Sequence, residues 1–232
     1  MFRNMKRARK VLFMASLASS LMLGACSVFG VRSGTEEPHF EVVERIGSVE
    51  VRQYAPRLAV ETTVEGEPAA ARREGFGRLA AYIFGGNAGR ASIAMTAPVA
   101  QSGTTIAMTA PVGQAPVGQG SADAGSVIRF YLPSGLVDPP QPNDARVRVV
   151  PIPAETVAVL RYTGSTAADM VAAEGGALLA ALQGTRWQPV GAPGAWFYDP
   201  PWTLPPLRRN EAVVAVVPLG PPAGASAGSR PP

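Results

Sequence analysis

One heptapeptide occurs twice in the sequence, first as Ile93-Ala-Met-Thr-Ala-Pro-Val99 and again as Ile106-Ala-Met-Thr-Ala-Pro-Val112. Each copy is apolar, contains β-branched residues and ends beside a proline, which is typical of a short strand that stops there. The repeat therefore predicts a hairpin whose arms bury Ile, Met and Val side chains. The alternative, which is compatible with a hairpin, is that Met95 or Met108 lines a ligand pocket, since methionine packs adaptably.

The first 25 residues have the pattern of an export signal. A basic segment, residues 3–10, precedes an apolar run, residues 11–23, that is too short for a comfortable transmembrane helix. Leu23-Gly24-Ala25-Cys26 resembles the lipobox of bacterial lipoproteins, which implies cleavage before Cys26 and lipid attachment to its thiol. The alternative is an ordinary signal peptide with an incidental cysteine. We expect a lipid-anchored protein of the bacterial cell envelope on the periplasmic face, with Ser27 favouring the outer membrane.

The charge balance argues against a nucleic-acid partner. The whole chain has 21 basic and 17 acidic side chains, but residues 1–25 hold five of the basic ones and no acidic one. The remainder therefore has 16 basic against 17 acidic residues and carries no basic excess for binding phosphates. Cys26 is the only cysteine, so no internal disulfide can form.

The rest of the chain divides into a tether, a domain and a tail. Residues 26–38 are predicted to be a polar tether, residues 39–217 a single domain, and residues 218–232 a disordered tail rich in Pro, Gly, Ala and Ser. Alternating apolar residues predict seven strands, at residues 40–46, 49–54, 58–64, 126–132, 146–150, 156–162 and 211–217. Gly47-Ser48 is the expected turn of a hairpin between the first two.

Two helices are predicted, at residues 68–84 and 166–182. The first has one apolar stripe formed by Phe76, Leu79, Ala80 and Ile83, and the flanking glycines of Phe76 would let a strand or a flat ligand approach closely. Ser165 or Thr166 is expected to cap the second helix, and Gly175-Gly176 to interrupt it. Because strands, a helix and further strands occur once before residue 113 and again after 126, we expect a pseudo-twofold, barrel-like α+β sheet flanked by two helices, with a groove beside them.

Four stretches resemble the SOUL family of haem-binding proteins. They are residues 49–64, the helical segment Gly75–Asn87, the two heptapeptides, and the proline-rich segment Tyr198–Glu211. The match covers about residues 38–217. The resemblance implies an α+β fold, namely a distorted antiparallel β-barrel of two pseudo-symmetric βαββ-type repeats with two flanking helices.

The resemblance also implies a site for haem or a related tetrapyrrole in a hydrophobic groove beside the first helix. Phe76 and Ile83 would pack on the faces of the macrocycle, Trp202 would stack on it, and Arg73 would pair with a propionate. The loop that carries Tyr198, Pro201 and Trp202 would close the groove. The cofactor-binding residues expected from the resemblance are Arg73, Phe76, Ala80, Ile83, Tyr198 and Trp202.

No confident axial ligand for a haem iron emerges from the sequence. The only histidine, His39, lies where the tether meets the first strand, and we expect it to be a solvated surface residue. Four other side chains have the chemistry to ligate iron, but each is better explained as core: Met95, Met108, Met170 and Tyr82. Tetrapyrrole binding is therefore expected to be weak or unligated, and one cysteine with one histidine does not predict a structural metal site.

Two further functions compete with tetrapyrrole binding. One is a non-haem effector-type module that binds an apolar small molecule or a protein partner. The other is an enzyme, which the sequence disfavours because it contains no Gly-x-Ser-x-Gly, His-Glu-x-x-His or phosphate-loop motif. Asp199 and Glu211 show no evident pairing for acid–base chemistry, and Glu211 is expected to anchor Arg208 or Arg209. We therefore predict a binding protein with no catalytic residues.

Overall fold

The computed structural model describes residues 34–103 and 125–220. The predicted signal peptide at 1–25, Cys26, most of the tether, the second heptapeptide with Met108, and nearly all of the tail lie outside the described residues. The predictions for these segments therefore stay predictions.

The described residues form nine strands, two α-helices and one short 3₁₀ helix. The strands are β1 (Phe40–Ile46), β2 (Val49–Tyr54), β3 (Arg57–Val64), β4 (Val99–Gly103), β5 (Ser126–Tyr131), β6 (Val147–Ile152), β7 (Glu155–Tyr162), β8 (Trp187–Phe197) and β9 (Asn210–Pro218). The helices are α1 (Pro68–Ile83), α2 (Ala168–Leu182) and the 3₁₀ turn Pro205–Leu207. The predicted α+β class is confirmed.

All nine strands belong to one antiparallel sheet in the order β1-β2-β7-β9-β8-β4-β5-β3-β6. On one side of the β4–β8 pair, β5 lies between β4 and β3; on the other side, β9 lies between β8 and β7. No strand pairing joins the edge strands β1 and β6 among the residues described, so the expected closed barrel is not confirmed. The expected pair of pseudo-symmetric repeats remains a prediction.

Local sequence signals account for the β1–β2 hairpin and for α1. Gly47 has a φ of 56°, which a glycine turn accommodates easily, and the strands on either side of it pair in antiparallel register. Glu67 caps α1 by accepting hydrogen bonds from the backbone N–H groups of Ala69 and Ala70, both at 3.0 Å, and Pro68 begins the helix. The turn at Gly47 and the start of the first helix at residue 68 agree with the sequence expectations.

Glycine sets the distance between α1 and the sheet. A Cβ atom built on Gly75 would lie 2.5 Å from a side-chain carbon of Ile128 on β5, so only glycine fits without displacement. The expected close approach of a strand is therefore confirmed at Gly75. A Cβ on Gly77 would meet nothing within 4 Å, so Gly77 has no such role.

Three sequence expectations for local structure are wrong. The first heptapeptide is not a strand: only its last residue, Val99, belongs to β4, and Met95 is exposed instead of buried. Helix α2 runs through Gly175-Gly176 without interruption, because Gly175 packs against Pro193 of β8. Its N-cap is Ala167, which has no capping side chain, although Ser165 Oγ accepts a hydrogen bond from the Ala167 N–H at 3.1 Å.

The hydrophobic core lies on both faces of the sheet. Alternate residues of a strand face opposite sides: on β3, Val60 packs beneath α1 while Ala59 joins the cluster on the other face. The cluster on that other face unites aromatic residues of distant strands, since Tyr54 of β2 and Tyr131 of β5 both contact Trp196 of β8 edge-on. The sheet therefore curves around this cluster, which we call the inner core.

A buried ionic network lies beside the inner core. The fully buried Glu211 carboxylate accepts hydrogen bonds from the Arg52 guanidinium at 3.0 and 3.2 Å, from Arg209 at 3.0 and 3.2 Å, and from the Tyr198 hydroxyl at 2.6 Å. Burial, and then the Glu211 charge, raises the pKa of Tyr198, which therefore remains protonated as the donor. The expected contact of Glu211 with an arginine is confirmed for Arg209.

Neither α1 nor α2 is both long and apolar enough to cross a lipid bilayer, and the rest of the described chain offers no other such helix.

Candidate functional site

A groove of about 970 Å³ lies between the N-terminal part of α1 and the length of α2, with β4 and β8 as its floor. We call it the interhelical groove. Its volume is at the upper end of the range for small-molecule sites, which is about 300–1,000 Å³. The lining residues are Gly66, Glu67, Pro68, Ala69, Arg72, Gln101, Ser102, Gly103, Gly125, Ser126, Thr166, Ala168, Val171, Ala172, Gly175, Gly176, Leu179, Pro193, Gly194 and Ala195.

Small side chains create this space. The α2 wall presents Ala168, Ala172 and Gly176 to the groove, and a Cβ atom built on Gly176 would meet nothing within 4 Å. On the floor, a Cβ on Gly194 would lie 2.8 Å from the Gln101 carbonyl oxygen, so glycine lets β8 and β4 approach closely. The result is a smooth and mainly apolar cavity.

Arg72 is the cation of the interhelical groove. Its guanidinium donates to Gln101 Oε1 at 2.9 Å and to the carbonyl oxygen of Thr166 at 3.0 Å, and it lies 4.4 Å from the Phe197 ring centroid. Burial lowers the pKa of Arg72 below its ordinary value, an effect that Tyr162 and then Glu67 partly oppose electrostatically. None of the ion pairs in the described part of the chain includes Arg72. Its hydrogen-bond acceptors are neutral, so its charge remains available to an anion.

The residues that line the interhelical groove include no histidine, cysteine, methionine or tyrosine. These are the side chains that hold haem iron in proteins. Elsewhere in the described ranges, no three His, Cys, Asp or Glu side chains come together as a metal site. The groove can therefore hold a flat apolar ligand and one of its anionic groups, but its lining offers no axial ligand.

The six residues expected from the sequence do not meet in one groove. Ile83 is fully packed in the core beneath α1, whereas Tyr198 belongs to the inner core on the opposite face of the sheet. Arg73 is exposed on the outer side of α1 and Ala80 is half-buried, whereas Phe76, 39% exposed, meets the buried Phe130 edge-on with 5.3 Å between ring centroids.

Trp202 is exposed on the proline-rich loop, whereas Tyr198 is buried, and closure of this loop over a ligand stays a prediction. None of the six expected residues lines the interhelical groove, and a contact of any of them with a ligand stays a prediction. His39 is exposed as expected, at the rim of a second cavity of about 300 Å³ between the N-terminal segment and the loop after β5.

Sequence reasoning missed Arg72 and Gln101, although Arg72 is adjacent to the expected Arg73. Successive residues of a helix point about 100° apart, so a shift of one position moves a side chain from the outer side of α1 into the groove. The Gly175-Gly176 pair is the sequence signal that could have indicated the groove. Where a helix faces a sheet with glycine, either the two elements pack closely, as at Gly175, or a space remains between them, as at Gly176.

The fold and the interhelical groove together define an α+β domain with an apolar cavity of small-molecule size. The chain belongs to the SOUL family: the family model described as SOUL heme-binding protein matches residues 35–215. Its sequence matches no curated protein.

Solved structures with a similar fold include the following two. A cryo-electron-microscopy structure of an EcmrR–DNA complex is 10% identical, with a TM-score of 0.53 over 92% of this chain and 69% of that chain. A crystal structure of an uncharacterized conserved protein from Listeria innocua is 9% identical, with a TM-score of 0.50 over 80% of this chain and 94% of that chain. At these identities the likeness supports the fold alone.

Proposed function

We propose that this protein binds haem or a related tetrapyrrole in the interhelical groove, with Arg72 holding a carboxylate of the ligand. The observation that carries the proposal is an apolar groove of about 970 Å³ with a single half-buried guanidinium, in a member of a haem-binding family. A tetrapyrrole has a flat apolar body and peripheral carboxylates. The small side chains of α2 suit the flat body, and Arg72 suits a carboxylate.

The guanidinium of Arg72 donates its hydrogen bonds to neutral acceptors. Gln101 and Thr166 satisfy the hydrogen-bonding geometry of the guanidinium but not its charge. A propionate that entered the groove would form a charge-assisted hydrogen bond in a partly desolvated site, which is worth about 1.5–3 kcal/mol. The ring would be held by apolar contact alone, since the lining offers no axial ligand, and binding should be correspondingly weak.

The strand order supports the repeat interpretation of this site. The segments β3-α1-β4-β5 and β7-α2-β8-β9 have the same order, and their β4 and β8 strands pair with each other. We propose that they are two copies of one βαββ-type unit. The interhelical groove would then lie on the axis between the copies, with one helix from each as a wall.

A hemin titration tests the proposed function. The purified full-length protein, with hemin added stepwise, should give a defined change of the Soret band that saturates at one hemin per chain. Arg72→Met should weaken binding by about 10- to 150-fold, which corresponds to 1.5–3 kcal/mol. Arg73→Met is the matched control and should bind like the wild type, because Arg73 lies outside the groove. A featureless titration that does not saturate would contradict the proposal.

We also propose that the protein is exported and anchored in the bacterial cell envelope through lipid on Cys26. The basic segment, the short apolar run and the lipobox-like residues before Cys26 support this proposal. Several acyl chains on one cysteine anchor a protein stably, where a single chain does so only marginally. Mass spectrometry of the N-terminal peptide should show an acylated Cys26, and Cys26→Ser should release the protein from membranes.

A second candidate function is binding of a non-haem apolar anion or a protein partner in the same groove. The absence of iron-ligating side chains from the groove lining favours it, because nothing there selects a metal complex. Hemin and metal-free protoporphyrin should then both fail to saturate the protein. Neither candidate assigns a reaction to the groove, and no catalytic residue is proposed.

A further inference from the structure

The proline-rich loop between β8 and β9 presents apolar side chains to solvent. We call residues 200–208 the apolar corner. Trp202 is 62% exposed, Leu204 48% and Leu207 42%. Three large apolar side chains are thus exposed within six positions of the sequence, and exposed apolar side chains that lie together often mark a binding surface.

The apolar corner is held firmly in this conformation. Arg208 donates to the carbonyl oxygens of Thr203 at 2.8 Å and Pro201 at 2.7 Å, so the guanidinium crosses the loop. The Pro205 carbonyl oxygen accepts a hydrogen bond from the Gly164 N–H at 2.9 Å, which ties the corner to the end of β7. These hydrogen bonds hold the backbone of the corner in a conformation that leaves Trp202, Leu204 and Leu207 exposed.

The N-terminal tether enters the fold beside this corner. Arg209, the next residue after the corner, donates to both carboxylate oxygens of Glu37 at 3.0 Å. Cys26 is eleven positions before Glu37 in the sequence, and a chain of that length spans at most about 40 Å when fully extended. A lipid on Cys26 would therefore keep Glu37, and the apolar corner beside it, within about 40 Å of the bilayer, close enough for the corner to reach the surface.

We infer that the apolar corner inserts Trp202, Leu204 and Leu207 into the interfacial layer of the phospholipid bilayer that carries the N-terminal anchor. The inference rests on the proposed lipid attachment at Cys26. Tryptophan suits this layer because its ring is amphipathic, and the two leucines add apolar area that a lipid surface can bury. A second membrane contact also fixes the orientation of a domain that a tether alone would leave free to rotate.

This orientation has a consequence for the interhelical groove. Gly164 binds the apolar corner through Pro205, and Thr166, two residues further on, lines the groove and accepts a hydrogen bond from Arg72. The Arg72 end of the groove is therefore connected to the corner through three residues of chain, 164–166. An apolar ligand that partitions into the bilayer would meet this end of the groove first.

Quenching by brominated lipid tests the inference. The full-length protein, purified with its lipid, is reconstituted into vesicles of phosphatidylethanolamine and phosphatidylglycerol with or without brominated acyl chains. The chain has three tryptophans, of which Trp187 and Trp196 are buried and Trp202 is exposed. The emission of Trp202 is the difference between wild type and Trp202→Phe. We expect brominated lipid to remove most of that difference signal.

Two charge substitutions complete the test. Leu204→Glu combined with Leu207→Glu should restore the Trp202 emission in brominated vesicles, because the charged corner would leave the bilayer. Val137→Glu is the matched control, since Val137 is 86% exposed on a different loop, and it should leave the quenching unchanged. Equal Trp202 emission in both kinds of vesicle would overturn the inference. Quenching that persists in the Leu204→Glu, Leu207→Glu double variant would also overturn it. Because no hemin is present, failure here is distinguishable from failure of tetrapyrrole binding.

Discussion

The buried carboxylate of Glu211 should be one of the most costly side chains to neutralise in this protein. It is fully buried and accepts five hydrogen bonds, from two arginines and the Tyr198 hydroxyl. Glu211→Gln keeps the shape of the side chain but removes the charge, and it turns one acceptor oxygen into an N–H donor facing other donors. Breaking a buried ion pair in this way costs about 3–5 kcal/mol.

The structure places the expected cost at the lower end of that range. Arg52 would keep Glu50, which lies 2.8 Å away, and Arg209 would keep Glu37 at 3.0 Å, so neither arginine loses its last carboxylate. We therefore expect a loss of about 3 kcal/mol in the free energy of unfolding. For a domain of this size that corresponds to a fall of about 6–12 °C in the melting temperature.

Urea denaturation followed by tryptophan fluorescence measures this cost, since Trp196 lies in the inner core. Glu74→Gln is the matched control: the same substitution breaks an ion pair with Arg78 on the surface of α1, where Glu74 is 55% exposed. Surface pairs of this i,i+4 kind contribute about 0.3–0.5 kcal/mol. If Glu211→Gln costs no more than Glu74→Gln, the reasoning about the buried network is refuted.

Two further predictions concern stability. Gly75→Ala should destabilise the protein by about 1–3 kcal/mol, because its Cβ would overlap Ile128. Gly77→Ala should stabilise it by up to about 1 kcal/mol, because alanine favours a helix and a Cβ there has open space. Equal effects of the two substitutions in urea denaturation would contradict the packing argument. Stability should also fall with rising alkalinity, because burial raises the pKa of Tyr54 to about 12 and also raises that of Tyr198, while an unfolded tyrosine ionises near pH 10. The stability that the two protonated tyrosines contribute is complete below pH 10. Above pH 10 the free energy of unfolding falls by up to about 1.4 kcal/mol per pH unit for each tyrosine. Urea denaturation midpoints that stay constant from pH 9 to 11.5 would contradict this prediction.

Strong local signals explain which parts of the fold could be predicted from the sequence. The turn at Gly47, the start of α1 at Pro68 and the alternation of β2 and β7 each depend on a few neighbouring residues, and all three agree with the structure. Strand β8 was missed because Pro189 and Pro193 lie within it, and proline argues against a strand interior. Its register shift between Val190 and Gly194 accommodates this irregular stretch, which only the paired strand reveals.

The site was harder to predict because it depends on how elements pack. The predicted apolar stripe of α1 contained Phe76, Leu79, Ala80 and Ile83, of which Leu79 and Ile83 are buried and Phe76 is 39% exposed. The buried side of the helix also includes Gly75, and glycine contributes nothing to an apolar pattern, so the pattern alone could not show that Gly75 faces the sheet. The stripe likewise could not show that Arg72 lines the groove while Arg73 lies outside it.

The most direct test of the account is a hemin titration of two glycine variants. Gly176→Leu places a large side chain in the interhelical groove, whereas Gly77→Leu places the same side chain on the outer surface of α1; a Cβ has open space at both positions. We predict that Gly77→Leu binds hemin like the wild type, and that Gly176→Leu binds at least about tenfold more weakly, a difference of 1.4 kcal/mol. Equal hemin affinity in the two variants would contradict the assignment of the site to this groove.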